Sequence, residues 1–144
     1  MYKLVLLSVL LCFSMVVNSE MNSELSDSGV KLKPCPDSPN CVSSLANQEL
    51  HRIAPYSYEH DYETTKRRLI AAINNLPRIS VVKDEGKYLH VTQTSFLFRF
   101  VDDIEFIFDE ENRLIHFRSA SRVGRSDFGV NRKRMEKIRA LFEQ

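Results

Sequence analysis

The sequence predicts an α+β domain: a four-stranded antiparallel meander sheet packed against two helices, in the order α-β-β-β-β-α, preceded by a disulfide-closed loop. Three observations predict it: an apolar stripe at helical spacing between Tyr62 and Leu76, four β-rich stretches divided by short turns, and a second helical stripe at the C-terminus. A meander with both helices on one face satisfies this order with short connections and no crossover. With 43% hydrophobic and 27% charged residues, the 144-residue chain has an ordinary globular balance and fits one domain. Nine Phe, five Tyr and no Trp predict an interior of phenylalanine packed on Ile, Leu and Val.

Met1 to Lys3 gives a short positive start, Leu4 to Val17 is an almost unbroken apolar run, and Val17-Asn18-Ser19 suits a signal peptidase. Residues 1–19 therefore read as a secretory signal peptide, because an apolar run of about 14 residues falls short of the roughly 20 that span a bilayer. Leu11 before Cys12 is too large for a lipidation site, so Cys12 belongs to the discarded segment. Residues 20–33, rich in Ser, Asn, Glu and Asp, have no periodicity and read as a flexible tether. The domain is expected over residues 34–144.

After cleavage only Cys35 and Cys41 remain, inside Pro34-Cys35-Pro36-Asp37-Ser38-Pro39-Asn40-Cys41. The three prolines stiffen this stretch and Asp37 and Asn40 favour turns, so a local disulfide in an oxidising compartment is expected. A zinc site with His51 and His60, or a redox-active thiol pair, fits the five-residue spacing less well.

Asp61 is placed to cap the first helix and Pro77 to close it. Ile79 to Asp84 and Tyr88 to Thr94 flank the turn residues Glu85-Gly86 and form one hairpin. Phe98 to Phe108 puts Phe100, Ile104, Phe106 and Phe108 on one face. Arg113 to Val123 returns after a turn at Asp109 to Asn112, with Ile115 and Phe117 on that same face. The last helix is expected to start near Asp127 as N-cap and to bury Met135, Ile138, Leu141 and Phe142.

Three stretches, Cys35 to Ser44, Phe100 to Phe106 and Arg118 to Arg132, carry a resemblance to the domain of unknown function 1499 family. It extends over nearly all the chain from about Lys33 onward. The stretches depart from that pattern at Arg125, where an aromatic residue is expected. The resemblance implies a small exported or membrane-linked protein and assigns no chemistry.

The formal charge of +1 offers no global attraction for nucleic acid. It hides a segregated pattern: six acids and no base from Val101 to Glu111, then nine bases against Asp127 and Glu136 from Arg113 to Arg139. Pairing the second hairpin about its turn places Asp103 near Arg118 and Glu105 near His116, on the face away from the phenylalanines. Asp102, Ser119 and Ser121 fall on the apolar face, where Asp102 must be hydrogen-bonded, either capping the loop Val123 to Asp127 or walling a small pocket. His116 points away from Ser119 and Ser121, and there is no Gly-x-Ser-x-Gly elbow.

Cations in the first turns of the last helix oppose its dipole unless something negative answers them. A non-catalytic exported module, periplasmic or secreted, is thus expected to bind a small anionic or lipid-headgroup ligand through Arg118, Arg122, Asn131 and Arg132. Asp102, Asp103, Ser119, Ser121 and Asp127 would order the site, with backbone N–H groups at the helix start helping to hold the anion. The alternatives are a structural or protein-interaction domain of the cell envelope, in which the acidic run neutralises these cations, and a hydrolase pairing Asp102 with a distant histidine. No cofactor, metal, nucleic-acid partner or permanent membrane span is expected.

Overall fold

A computed structural model describes residues 29–144. The predicted signal peptide, Cys12 and the tether up to residue 28 lie outside the described residues. Eight elements follow in order: β1 (Cys41–Ser43), β2 (Tyr56–Ser57), α1 (Tyr62–Asn74), β3 (Ile79–Glu85), β4 (Tyr88–Thr94), β5 (Val101–Asp109), β6 (Leu114–Ser121) and α2 (Val130–Phe142).

The α+β class, the two helices and the antiparallel meander hold, but the sheet has six strands rather than four. Its order is β1-β6-β5-β4-β3, with β2 also paired to β6. Both extra strands come from the segment before α1, and both are too short to show alternation in sequence. β1 extends directly from the disulfide loop, setting Cys41 opposite Ala120 and Val42 opposite Ser119. Cys35 and Cys41 are joined as expected. So short a ring removes little unfolded-chain entropy, and its contribution is about 2 kcal/mol.

α1 begins where Asp61 accepts a hydrogen bond from Thr64 N at 2.9 Å, and it buries Thr65, Leu69, Ala72 and Ile73. One face of the sheet presents Val91, Ile104, Phe106, Phe108, Ile115 and Phe117 to these residues and to Met135, Ile138 and Phe142 of α2. Tyr56 fills the centre of this layer, with ring centroids 4.5 Å from Phe117 and 5.9 Å from Phe142, and its hydroxyl donates to Met135 O at 2.7 Å. β3 is an edge strand, largely exposed, with a register shift between Val81 and Lys83 that bends it away from further pairing.

Three expected boundaries move. β5 starts at Val101 rather than Phe98, because Arg99 adopts a left-handed φ of 57° and Ser95 N bonds Phe100 O at 2.8 Å, closing a loop that leaves Phe98 and Phe100 exposed. The β5–β6 register lies two residues from the expected one, with Glu105 opposite Arg118, Asp103 opposite Ala120 and Ile107 opposite His116. A turn displaced by one residue causes this: it runs from Glu110 to Arg113 rather than from Asp109 to Asn112, with Asp109 paired to Leu114 and accepting from Asn112 N and Nδ2, while Arg113 turns the chain at φ 57°. A two-residue shift leaves every side chain on its expected face. α2 starts at Val130 after a left-handed Gly129, and Asp127 caps it from two residues further back.

No helix among the described residues is long and apolar enough to cross a membrane.

Candidate functional site

The expected site residues meet at one end of the sheet, where β4 and β6 finish, β5 starts, and α2 begins. They separate there into an interior network, an outer-face network and a rim.

The interior network centres on Arg134, which the sequence reading noted only as one of several cations at the helix start. Its side chain is almost completely buried under the sheet, donating to Asp102 Oδ2, to Gln93 Oε1 at 2.5 Å, to Asn131 Oδ1 at 2.6 Å and to Ser119 Oγ at 3.0 Å. Asp102 is therefore neither a cap for the Val123 to Asp127 loop nor a pocket wall. It neutralises a guanidinium that the helix sends into the core. Asn131 accepts Ser119 Oγ at 2.6 Å, and its amide nitrogen reaches Asn40 O at 3.0 Å, Ser121 Oγ at 3.2 Å and Asp127 Oδ2 at 2.7 Å. Asn131, Ser119 and Ser121 thus tie α2, β6 and the disulfide loop together, and Asn131 is fully buried. Full satisfaction of polar groups in such a setting fixes one arrangement of the elements.

The first backbone donors of α2 are also taken. Asp127 Oδ1 accepts Gly129 N at 2.9 Å and Oδ2 accepts Asn131 N at 2.8 Å, so the oxyanion expected at the helix start is this chain's own carboxylate.

On the outer face, Asp103 and Glu105 hold the arginines that the sequence analysis singled out. Arg122 Nε and Nη2 make a two-pronged contact with Asp103 at 2.9 Å each, and Asp103 also meets His90 Nε2 at 2.8 Å. The Arg122 guanidinium, with help from His90, holds the Asp103 carboxyl below the usual carboxylate range, and Asp103 in turn raises Arg122. Arg118 reaches Glu105 at 3.4 Å, and Tyr88 Oη donates to the other Glu105 oxygen at 2.8 Å. Burial, followed by that carboxylate, pushes the Tyr88 phenol up.

A folded-state pKa below the unfolded value means that the Asp103 contribution is complete above about pH 4 and is lost as pH falls through the lowered value. Asp103→Asn is therefore expected to be less stable than wild type at neutral pH. Its unfolding midpoint should fall less steeply between about pH 5 and pH 2. Urea titrations at stepped pH check this, and parallel slopes in both proteins would show that the pair contributes nothing to acid sensitivity.

The hydrolase alternative needs a histidine beside Asp102 or Ser119, but the side-chain partners of those residues are Arg134 and Asn131. A different trio does line up. Ser44 Oγ is 3.3 Å from His116 Nδ1, and His116 Nε2 is 3.9 Å from Asp109 Oδ2. The second distance is beyond hydrogen-bond reach, and Asp109 is engaged with Asn112. Ser44 Oγ accepts Phe117 N at 2.9 Å, extending the β1–β6 pairing. Burial lowers the His116 pKa, keeping the imidazole neutral as a packed element of the sheet. His51 gives Cys41 O a 2.9 Å contact and His60 faces Arg68, while both cysteine sulfurs are used in the disulfide.

The rim holds the remaining cations. Arg132 donates to Arg52 O at 2.9 Å and Leu50 O at 3.1 Å, binding the lead-in segment to α2. Arg125 and Lys133 are exposed and have no acidic partner among the described residues. A shallow hollow of about 380 Å³ lies beside the disulfide loop, lined by Asp37, Ser38, Gly124 and Arg125. None of the four predicted contact residues lines this hollow. Arg125 does.

The fold and this site define a class: a small α+β domain whose disulfide-stapled lead-in completes the sheet and whose second helix is anchored by a buried arginine network. The chain belongs to the family described as protein of unknown function (DUF1499), which matches residues 31–142 and so takes in every element of the fold. No curated protein and no solved structure matches the chain.

Proposed function

We propose that this domain is an exported, non-catalytic module that binds a small anionic group of the phosphate or lipid-headgroup type at the rim of the arginine-rich corner. One observation supports it most. After Asp102, Asp103 and Glu105 have taken Arg134, Arg122 and Arg118, the same end still presents Arg125 and Lys133 with no acidic partner among the described residues. Arg122 keeps half of its side chain exposed despite its carboxylate, and Arg132 is held by backbone carbonyls rather than by an acid. Arg118 and Asn131 serve as positioning residues in this reading, since one is sequestered on Glu105 and the other lies in the core. The Cys35–Cys41 disulfide fits an oxidising compartment and so supports export.

Titrating glycerol phosphate at low salt and following backbone amide shifts by NMR tests the reading. Shifts are expected at Gly124 to Asp127, and Arg125→Ala combined with Lys133→Ala should weaken binding by about tenfold. If the double variant and wild type titrate alike, a structural or partner-binding envelope domain is the better description.

A further inference from the structure

The end of the sheet that carries the cationic rim also exposes a group of large apolar side chains. In the loop between β4 and β5, Phe96, Leu97 and Phe98 are 79%, 73% and 68% exposed, and Phe128, in the loop before α2, is 90% exposed. The two loops are neighbours: Arg122 N donates to Val101 O at 3.0 Å, joining the end of β6 to the start of β5. Several large apolar side chains exposed at one end of a sheet mark an interaction site.

The side chains project from a structured tip. Ser95 Oγ accepts Phe100 N at 2.9 Å, Phe98 stacks on Phe100 with centroids 5.5 Å apart, and the Arg78 guanidinium lies over the Phe96 ring at 5.6 Å. Arg78, Arg99 and Phe128 have left-handed φ values of 56°, 57° and 53°. A bulky residue avoids that region unless its surroundings impose it, so folding holds the Phe128 ring in water at a conformational cost.

Charge decides what kind of partner fits. Arg78, whose guanidinium lies over Phe96, and Arg99, within the loop itself, accompany the apolar tip, while Arg125 precedes Phe128 by three residues and Lys133 follows in the first turn of α2. Of the acids at this end, Asp102 is committed to Arg134, Asp103 to Arg122 and His90, and Asp127 to the start of α2, while Asp37 lines the hollow beside Arg125 and leaves Arg78 and Arg99 at the loop itself unopposed among the described residues. An exposed loop of Phe and Leu beside arginines is the complement of a bilayer surface with anionic headgroups, where apolar side chains enter the acyl boundary and guanidinium groups stay with the phosphates. A purely apolar protein groove would meet the aromatic rings but leave the cations without an answer.

We infer that the loop Ser95–Phe100 and Phe128 form a membrane-docking tip that inserts into an anionic lipid surface while the arginines of the rim hold its phosphates. This rests on the anion-binding reading above and supplies the partner that presents the anion.

The chain contains no tryptophan, so Phe98→Trp introduces a single reporter at the tip, and Glu111→Trp places one at the opposite end of the sheet. In the exported chain from residue 20 onward, Phe98→Trp is expected to blue-shift on vesicles of phosphatidylglycerol and phosphatidylcholine in equal parts, and to be quenched by lipids brominated along the acyl chain. Glu111→Trp should show neither effect, and pure phosphatidylcholine should weaken both effects on Phe98→Trp. Combining Phe96→Ser with Phe98→Ser should lower partitioning onto the mixed vesicles by at least about tenfold.

An unquenched Phe98→Trp reporter overturns the docking tip. If glycerol phosphate still shifts Gly124 to Asp127 in that case, the anion-binding reading stands without it. Loss of both responses removes both. Self-association of the free protein that disappears in the Phe96→Ser, Phe98→Ser variant would instead assign the tip to a second copy of the chain and also overturn the proposal.

Discussion

Replacing Arg134 by methionine is expected to lower the unfolding free energy by about 3 to 5 kcal/mol, because it leaves the buried carboxylate of Asp102 with no cation. Gln93 Oε1 loses the same donor, and Asn131 Oδ1 and Ser119 Oγ each lose one of theirs. For a domain whose total stability is of the order of 5 to 15 kcal/mol, that is a large fraction. Methionine keeps most of the apolar stem, so the loss reports the network rather than a cavity. Adding Asp102→Asn should recover part of it, since an amide is cheaper to bury unpaired than a charge. Urea unfolding followed by far-ultraviolet circular dichroism measures both variants. A loss below about 1 kcal/mol for Arg134→Met would mean that water reaches Asp102 and that the network does not anchor α2.

Tyr56→Ala is expected to cost a similar amount, about 3 to 5 kcal/mol, by opening a cavity between the sheet and α2. The ring touches Phe106, Phe117 and Phe142, and Arg139 lies over it at 4.7 Å while donating to Pro55 O and Ala54 O. Tyr56→Phe keeps these contacts and loses only the hydroxyl bond to Met135 O, so its expected cost is about 1 kcal/mol. The graded pair separates packing from hydrogen bonding. Equal, small losses in both would show that β2 lies against the core without being part of it.

These two residues also mark where the amino-acid sequence stops being informative. α1, β3 and β4 are legible because Leu69, Ala72 and Ile73 recur at helical spacing and Gly86 punctuates the hairpin. The faces of β5 and β6 are legible for the same reason, and the two-residue error in register did not disturb them. Tyr56 was missed because a two-residue strand has no period and its partners lie some 60 to 80 positions away in the chain. Asp102 announced itself as a carboxylate on an apolar face, but its partner did not. Arg134 belongs to an Arg-Lys-Arg run in which nothing local tells the inward side chain from the outward two. The exposed phenylalanines failed for the opposite reason. Phe98 and Phe100 fit strand alternation, and only the left-handed Arg99 between them shows that the strand has not yet begun.

Asn40 stands next to the crosslinked Cys41, its carbonyl receiving Ser121 N and the Asn131 amide while its own amide donates to Gly124 O. The covalent ring is thereby coupled mechanically to Gly124 in the loop that leads into α2. Opening the ring with a reductant would leave Asn40 positioned by those bonds alone, so the stretch from Val123 to Asp127 should exchange its amide protons faster in the dithiol form even where the core stays closed.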